Sequence, residues 1–351
     1  MAKRPKSEPG KRSARNGLAL GIDVGATKVV SGLVAPNGDV RHYSGRHVLR
    51  NHTFEEVVAT IARSTKACLR GIDPTSLRVG LAVAAQVDPK RGRVVYSPNL
   101  RWNDVPLAER VSEVLGTAVT LVNDARAATL AEWRYGAGVG GSDLFFLSLG
   151  TGVGGSAVVD GRLLDGSNHA VGEIGHLTIV SGGRRCRCPN TGCLEAYAGG
   201  WAIAERAREE VESHPAEGAG LLRLAGSREA ITAETVFQAG RAGDLLAQRL
   251  IEETSRYLAD GAVGIANAFN PSLLVVGGGL VSGRPELVDV VAAAVRTRCQ
   301  PPAAQSRVVG AHLGENAGLV GAAEMARGTP RSDESEPGNG PARGPGSTVR
   351  R

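Results

Sequence analysis

Three of the chain's five cysteines, Cys186, Cys188 and Cys193, fall within eight residues, and His176 lies ten residues before the first of them. Three thiolates and one imidazole make the donor set of a closed structural zinc site. Glu173 and Glu195 bracket the cluster. A metal that folds residues 173–195 therefore brings two carboxylates to one place. Ionised carboxylates only accept hydrogen bonds, so a pair of them suits a ligand rich in hydroxyl donors. The rest of the chain has to say what is done to such a ligand.

A second chemistry occurs twice. Leu18–Asp23 reads as a buried strand closed by an acid, followed by the small-residue turn Val24–Lys28 (V-G-A-T-K), a second strand at Val29–Val34 and a strong hairpin signal at Asn37-Gly38. Gly25 lets backbone amides approach phosphate oxygens, and Thr27 adds a hydroxyl donor. Asp23 is useful beside phosphates only through a cation such as Mg²⁺. A plain hairpin accounts for the same residues. About 125 residues later the succession returns: an apolar strand at Asp143–Leu149, the turn Gly150–Gly155 (G-T-G-V-G-G), then a strand at Ser156–Val159. This reads as an internal structural repeat, with two glycine-rich hairpins from equivalent halves placed to clamp one polyphosphate. Gly277-Gly278-Gly279 follows a third apolar strand, Leu273–Val276. It either admits a flat base close to the backbone or makes a tight strand–helix connection.

Asn123-Asp124 closes a strand at Thr117–Val122 and feeds a helix at Ala125–Tyr135. The pair is either an N-cap or a carboxylate presented at the carboxyl edge of a sheet, where α/β proteins bind ligands. Residues 97–107 (S-P-N-L-R-W-N-D-V-P-L) read as a loop with turn chemistry, in which Asn99 is a polar contact or a structural turn amide.

The elements that position these groups alternate strand and helix, which implies an α/β fold. Helical periodicity marks Phe54–Leu69, Ala196–Val211, a helix capped by Thr232, a long one from Asp244 to about Phe269, Glu286–Arg298 and a closing helix at Ala317–Arg327. Val79–Val87 reads as one buried strand, and His214–Gly226 as an irregular hinge. No run of about 18 apolar residues exists, so nothing is expected to span a membrane, and the basic N-terminus lacks a signal peptide's apolar region. The net charge of +6 is misleading: Lys3, Arg4, Lys6, Lys11, Arg12 and Arg15 against Glu8 put +5 in residues 1–16, and residues 328–351 add +1. A neutral body between two polar, low-complexity ends argues against a nucleic-acid-binding surface and for disordered termini. Clustered cysteines in odd number suit metal better than disulfides, which implies a reducing, cytoplasmic setting.

D-V-G-A-T-K at 23–28, N-D-A at 123–125, L-G-T-G-V-G at 149–154, E-I-G-H at 173–176 and C-x-C-x₄-C-L-E at 186–195 occur in one order. In these motifs, over roughly residues 17–327, the chain resembles the ROK family of bacterial repressors, open reading frames and sugar kinases, within the actin-like/hexokinase ATPase superfamily. The S-P-N-L-x-W-x-D-x-P-L segment leans towards its glucokinase-type members. The resemblance implies a two-lobed actin-like ATPase (ribonuclease H-like) α/β fold with a duplicated sheet core and a small zinc-stabilised loop. Its lobes are expected at 17–124 and 125–327, with the helix 317–327 packing back on the small lobe.

The resemblance also implies roles. Asp124 matches the family's catalytic base, and Asn99, Asn123, Glu173, His176 and Glu195 match its sugar contacts. His176, Cys186, Cys188 and Cys193 match its zinc ligands. Asp23, Gly25, Ala26, Thr27 and Lys28 match its first phosphate motif, Gly150, Thr151, Gly152 and Gly154 its second, and Gly277, Gly278 and Gly279 its adenosine turn. The implied activity is transfer of the ATP γ-phosphoryl, with Mg²⁺, to the 6-hydroxyl of a hexose, glucose foremost, by a homodimer or homotetramer. Other readings are a kinase for fructose or an N-acetylated amino sugar, a non-catalytic sugar sensor, and a repressor; only 22 residues precede Asp23, too few for the repressors' helix-turn-helix. Two departures stand out. Ala85 replaces a glycine near the sugar site. Pro189 replaces a glycine inside the cysteine loop, where a positive φ would be closed to it.

Overall fold

A computed structural model of the chain describes residues 17–49 and 53–328. The arm at 1–16 and all but the first residue of the 328–351 tail lie outside the described residues.

The first sheet is built from β1 (Ala19–Val24), β2 (Lys28–Val34), β3 (Val40–Tyr43), β4 (His47–Val48) and β5 (Arg78–Val83). A small antiparallel sheet of β6 (Gln86–Asp88), β7 (Arg93–Ser97) and β8 (Trp102–Val105) follows, and β9 (Val119–Asn123) returns to the first sheet. The second sheet contains β10 (Leu144–Leu149), β11 (Val153–Val159), β12 (Arg162–Leu163), β13 (Leu273–Gly277) and β14 (Arg307–Gly310). The strand orders are β3-β2-β1-β5-β9 and β12-β11-β10-β13-β14. In each sheet the central strand is antiparallel to the hairpin partner that follows it and parallel to the strand on its other side. Beyond that strand the edge strand, β9 or β14, adds in parallel, while the opposite edge, β3 or β12, is antiparallel. The repeat is thus a repeat of topology, and it puts the turns at residues 25–27 and 150–152 at matching corners of the two sheets.

Ten helices are described: α1 (Phe54–Leu69), α2 (Leu107–Leu115), α3 (Asp124–Tyr135), α4 (Glu195–Ala198), α5 (Gly200–Ser213), α6 (Ala219–Ala225), α7 (Ala233–Arg241), α8 (Leu245–Phe269), α9 (Pro285–Arg298) and α10 (Ala317–Arg327). Thr53, Thr232 and Asp244 accept from backbone amides at the starts of α1, α7 and α8, as their types favour. Three expectations are corrected. The 79–87 strand breaks at Ala84-Ala85, where the Ala84 amide bonds Val24 O at 3.1 Å and the Ser97 hydroxyl bonds Ala84 O at 2.9 Å. Residues 97–107 are not loop alone: they turn between β7 and β8 and lead into α2. The supposed hinge at 214–226 contains α6, which buries Leu221 completely. None of the described helices is long and apolar enough to cross a membrane.

Two core clusters fill the sheets' outer faces, and a third, including Ala128, Ala131, Phe146, Leu319 and Ala323, lies between the sheets around α3 and α10. Here the packing is backbone on backbone. A β-carbon at Gly21 or Gly80 would overlap the carbonyl oxygen of Leu319 or Ala322 in α10, and one at Gly321 would overlap that of Ala127 in α3. At the far end of α3 the carboxylate of Glu132, wholly buried, accepts from the amides of Ala137 (2.8 Å), His312 (3.1 Å) and Leu313 (2.7 Å). The pairing ties α3 to the segment that leads into α10. Gly80→Ala should cost about 3 kcal/mol, because the neighbour is backbone and cannot step aside. Gly264→Ala, on an exposed turn of α8 with open space around it, should instead gain up to about 1 kcal/mol. Thermal midpoints of the two variants check the contrast; a Gly80→Ala protein as stable as the parent would mean α10 is free to lift off.

Candidate active site

The corner where the two sheets meet collects the acids. β9 ends at Asn123, whose Oδ1 accepts from the Arg126 amide at 3.0 Å and so caps α3. Its Nδ2 donates to Ala85 O (3.1 Å) and to Asp124 Oδ1 (3.0 Å). Both amide donors are therefore spent on the fold, and one Oδ1 lone pair remains. Asp124 opens α3, with Oδ1 also accepting from the Ala125 amide at 2.9 Å. Burial pushes its carboxyl up to about 7; the charges of Asp23 and Glu173 add to the rise and the Ala125 amide opposes it.

Asp23 lies on β1 just before the first hairpin turn, and burial raises its carboxyl to about 6 against the pull of Lys28. Gly318, at the start of α10, has its missing β-carbon position 2.7 Å from Asp23 Oδ2, so only glycine leaves that carboxylate its place. Lys28 pairs with Glu315 at 3.1 Å, and Arg46 pairs with the same carboxylate. In the turn, the Gly25 amide bonds Lys28 O at 2.9 Å, and Thr27 is exposed. In the second turn, the carbonyls of Gly150 and Thr151 accept from the amides of Gly200 and Trp201, each at 3.0 Å, at the start of α5. Gly278, with φ +98°, is pressed against the Leu149 backbone, which seats the 277–279 turn beside the second hairpin, and Gly279 faces open space.

Glu195 is fixed by the same hairpin. Its Oε2 accepts from the Val153 amide at 2.9 Å and its Oε1 from the Trp201 indole at 3.1 Å. A side chain on Gly152 would run into its carboxylate. Burial also raises Glu173, with Glu195 adding to the rise, while His176 and a hydrogen bond from Gln86 oppose it. Gln86, at the start of β6, crosses from the first sheet's side to Glu173. It carries no motif; its one signal is a polar residue directly after the apolar run that ends at Ala85. Asn99 sits on the turn between β7 and β8 and lines a cavity of about 650 Å³ together with Tyr96, Trp102 and Arg187. No described hydrogen bond joins Asn99 to the acids. Ala85 has its methyl buried in the first sheet's core and offers its carbonyl to Asn123.

The ligating atoms of His176, Cys186, Cys188 and Cys193 all lie within 4.8 Å of one another. His176 Nδ1 is 3.7 Å from Cys186 Sγ, and Cys188 Sγ is 3.6 Å from Cys193 Sγ. Four ligands at zinc bond lengths stand about 3.4–3.8 Å apart, so the donor set fits a tetrahedral ion. A bridge between Thr178 and Cys193 and the bond from the Gly192 amide to Arg184 O (2.7 Å) close the loop. Pro189 is not among the residues of positive φ, and its carbonyl accepts from Arg185 at 3.0 Å; the turn accommodates proline with the four donors still gathered. His176 faces both ways, since its Nε2 lies 3.8 Å from Glu173.

Two corner-matched hairpins around a cluster of acids occur here in a chain that is similar to sugar kinases over most of its length. The chain matches the description of the ROK family over residues 19–329. It is 32% identical to a glucokinase of Streptomyces coelicolor over 317 residues, which cover 89% of this chain and 98% of that one. It is 33% identical to a glucokinase of Thermotoga maritima, covering 87% and 96%. A crystal structure of a ROK family glucokinase from Streptomyces griseus in complex with glucose and AMPPNP superposes with a TM-score of 0.79 at 33% identity, over 89% of this chain and 99% of that one. The chain belongs to the ROK family.

The raised Asp124 makes a prediction about stability. Between about pH 4 and pH 7 the folded protein holds a proton there that the unfolded chain releases, so this contribution is complete below about pH 4 and is lost as pH rises through about 7. Asp124→Asn keeps the acceptor for Ala125 and removes the charge. It should stabilise the unliganded protein at pH 8, by on the order of 2 kcal/mol, and by much less at pH 5. Melting curves at the two pH values decide; an equal effect at both would contradict a carboxyl titrating near 7.

Proposed function

We propose that the chain is an ATP-dependent hexose kinase that transfers the γ-phosphoryl group to the 6-hydroxyl of glucose. The observation that carries the reading is Asp124: a carboxyl poised near neutral pH at the carboxyl end of β9, between matching glycine hairpins of two sheets. A sugar hydroxyl is a weak nucleophile, and a base whose pKa lies near the working pH combines availability with strength. Asp124 takes the hydroxyl proton as the hydroxyl oxygen bonds to the γ-phosphorus and the bond to the β–γ bridging oxygen breaks. The amides of Asn123 and Ala125 fix the carboxylate plane for that transfer.

Glu173 and Glu195 accept from other hydroxyls of the ring, His176 and Asn123 add contacts, and Asn99 reaches the sugar from the opposite wall. Buried acceptors of fixed geometry give specificity because a ligand without the matching hydroxyl leaves them unpaired. The turns at Gly25–Lys28 and Gly150–Gly154 cradle the phosphates with backbone amides, and Gly277–Gly279 lies against the base. That the Streptomyces griseus relative was crystallised with glucose and AMPPNP supports both ligand classes. Mg²⁺, when bound, neutralises phosphate charge; Asp23, a carboxyl raised by burial, is the residue suited to hold it. Zinc on His176, Cys186, Cys188 and Cys193 holds Glu173 and Glu195 on one side of the cleft. The lobes are 17–124 and 125–327, with α10 returning to the first.

Coupled measurement of ADP release across glucose, mannose, fructose, N-acetylglucosamine and N-acetylmannosamine should give the highest kcat/KM on glucose, rising with pH through about 7. Asp124→Asn should keep sugar binding and lose roughly 10²- to 10⁴-fold in kcat. Near-normal turnover by that variant would remove Asp124 from the role of base. Metal analysis of the purified protein should find about one zinc per chain, and a fully active protein without zinc would refute the metal-shaped loop.

A further inference from the structure

Arg126 stands in the first turn of α3, two residues after Asp124, and its charge is spent on the segment that leads to Glu173. Its Nη1 donates to Leu164 O at 2.8 Å and to Asp165 O at 3.3 Å, and pairs with Asp165 Oδ1 at 2.7 Å. The side chain is only 11% exposed. The other oxygen of Asp165 pairs with His169 Nδ1. His169 has φ +57°, a conformation that side-chain-bearing residues seldom adopt, so something must hold it there. The loop is anchored at its start by the Leu164 amide on Ala157 O (2.9 Å). At its end Gly172 (φ +98°) lies flat against the Gly155 backbone. Glu173 follows directly.

Between those anchors Asp165 and His169 face open space. A cavity of about 840 Å³ is walled by Asn123, Arg126, Asp165 and His169 together with the outer edge of β9. Where Asp165 and His169 face this space, their bonds to each other and to Arg126 hold the loop. Glu173, drawn by His176 and repelled by Glu195, in turn acts on Asp124. We infer that Arg126, through Asp165 and His169, is a positioning residue: it clamps the 164–172 loop to the helix that carries Asp124 and so sets the spacing between Glu173 and Asp124. On the kinase reading, which this inference rests on, the two acids grip different hydroxyls of one ring. Their spacing must therefore match the ring, because a mismatch leaves one of the two acceptors without its hydroxyl and weakens sugar binding.

The test compares the full-length parent with Asp165→Asn, which keeps shape and loses charge, and with Arg126→Ala. Both should raise KM for glucose about tenfold, with kcat and KM for ATP changing less than about threefold. Arg126→Lys should recover part of the loss. Arg126→Ala combined with Asp165→Ala should be no worse than Arg126→Ala alone, because both remove one clamp. Amide exchange across 165–172 should speed up in Asp165→Asn whether or not the protein phosphorylates glucose. If Arg126→Ala does not fold, Asp165→Asn decides. An unchanged sugar KM in folded Asp165→Asn, or a fall confined to kcat, overturns the clamp, and so does unchanged exchange in the loop. A parent protein that turns over no sugar overturns the kinase reading, while the exchange result still judges the clamp.

Discussion

Four carboxyl groups act on one another where the two sheets meet: Asp23 and Glu173 on Asp124, and Glu195 on Glu173. Gathering like charges in a poorly hydrated corner is unfavourable, and left to themselves they would separate or take up protons. Burial is the main cause that shifts Asp23, Asp124 and Glu173 upward. The fold has to supply the force that holds them, and much of the architecture can be understood as doing so. On the proposed function, acceptors that repel one another would become partners of the same ligand once hydroxyl donors and a cation arrive. Binding would then recover the cost of assembling the site, a trade of stability for function at this corner.

The holding is done by backbone. α10 comes last in the described chain, after the second sheet, yet packs on β1 and β5 of the first, with glycine at each crossing. α3 leads from the first sheet to the second and meets α10 through Gly321. Glu132 locks the far end of α3 to the approach to α10 through three amides. Asp23 and Asp124 sit at opposite entries to this helix pair, one beside the start of α10 and the other in the first turn of α3. Their separation is therefore fixed by contacts that no side-chain rearrangement relaxes.

What the sequence makes legible here is what is local. The four zinc-type donors lie within 18 residues, α1 has its cap and a 3.6-residue stripe in one stretch, and each glycine hairpin is contiguous. The duplicated topology follows from the order of such units. What escapes is contact at long separation or through groups without pattern. Gln86 meets Glu173 across 87 residues with nothing in its neighbourhood to announce it. The glycines of β1 and β5 look like ordinary small strand residues until α10 lies on them. β6, β7 and β8 are each too short for alternation to register, and the break at Ala84-Ala85 is made by bonds to Val24 and Ser97 rather than by a turn residue. The Asn123-Asp124 pair carried two readings at once, and the structure keeps both open to it: Asn123 is the cap, and the carboxylate beside it is the one with the shifted pKa.

That double use extends across the site and bears on how it would select a ligand. Asn123 spends both of its donors on Ala85 and Asp124 and keeps an acceptor lone pair. Glu195 gives one lone pair on each oxygen to Val153 and Trp201 and keeps the rest. Glu173 is steadied by Gln86 and His176. Each group is immobilised by the bonds it makes to the protein, so little side-chain entropy is left to lose when a ligand binds. What remains free is almost entirely acceptor capacity. Such a site rewards a ring that presents hydroxyl donors in the right directions and penalises one that presents acceptors or apolar groups there, because buried carboxylate lone pairs would go unpaired. On the proposed function, the zinc-type loop, the second hairpin and α3 would serve this discrimination twice, by the groups they present to the ligand and by the bonds that hold those groups still. They turn four mutually repelling side chains into a rigid set of acceptors.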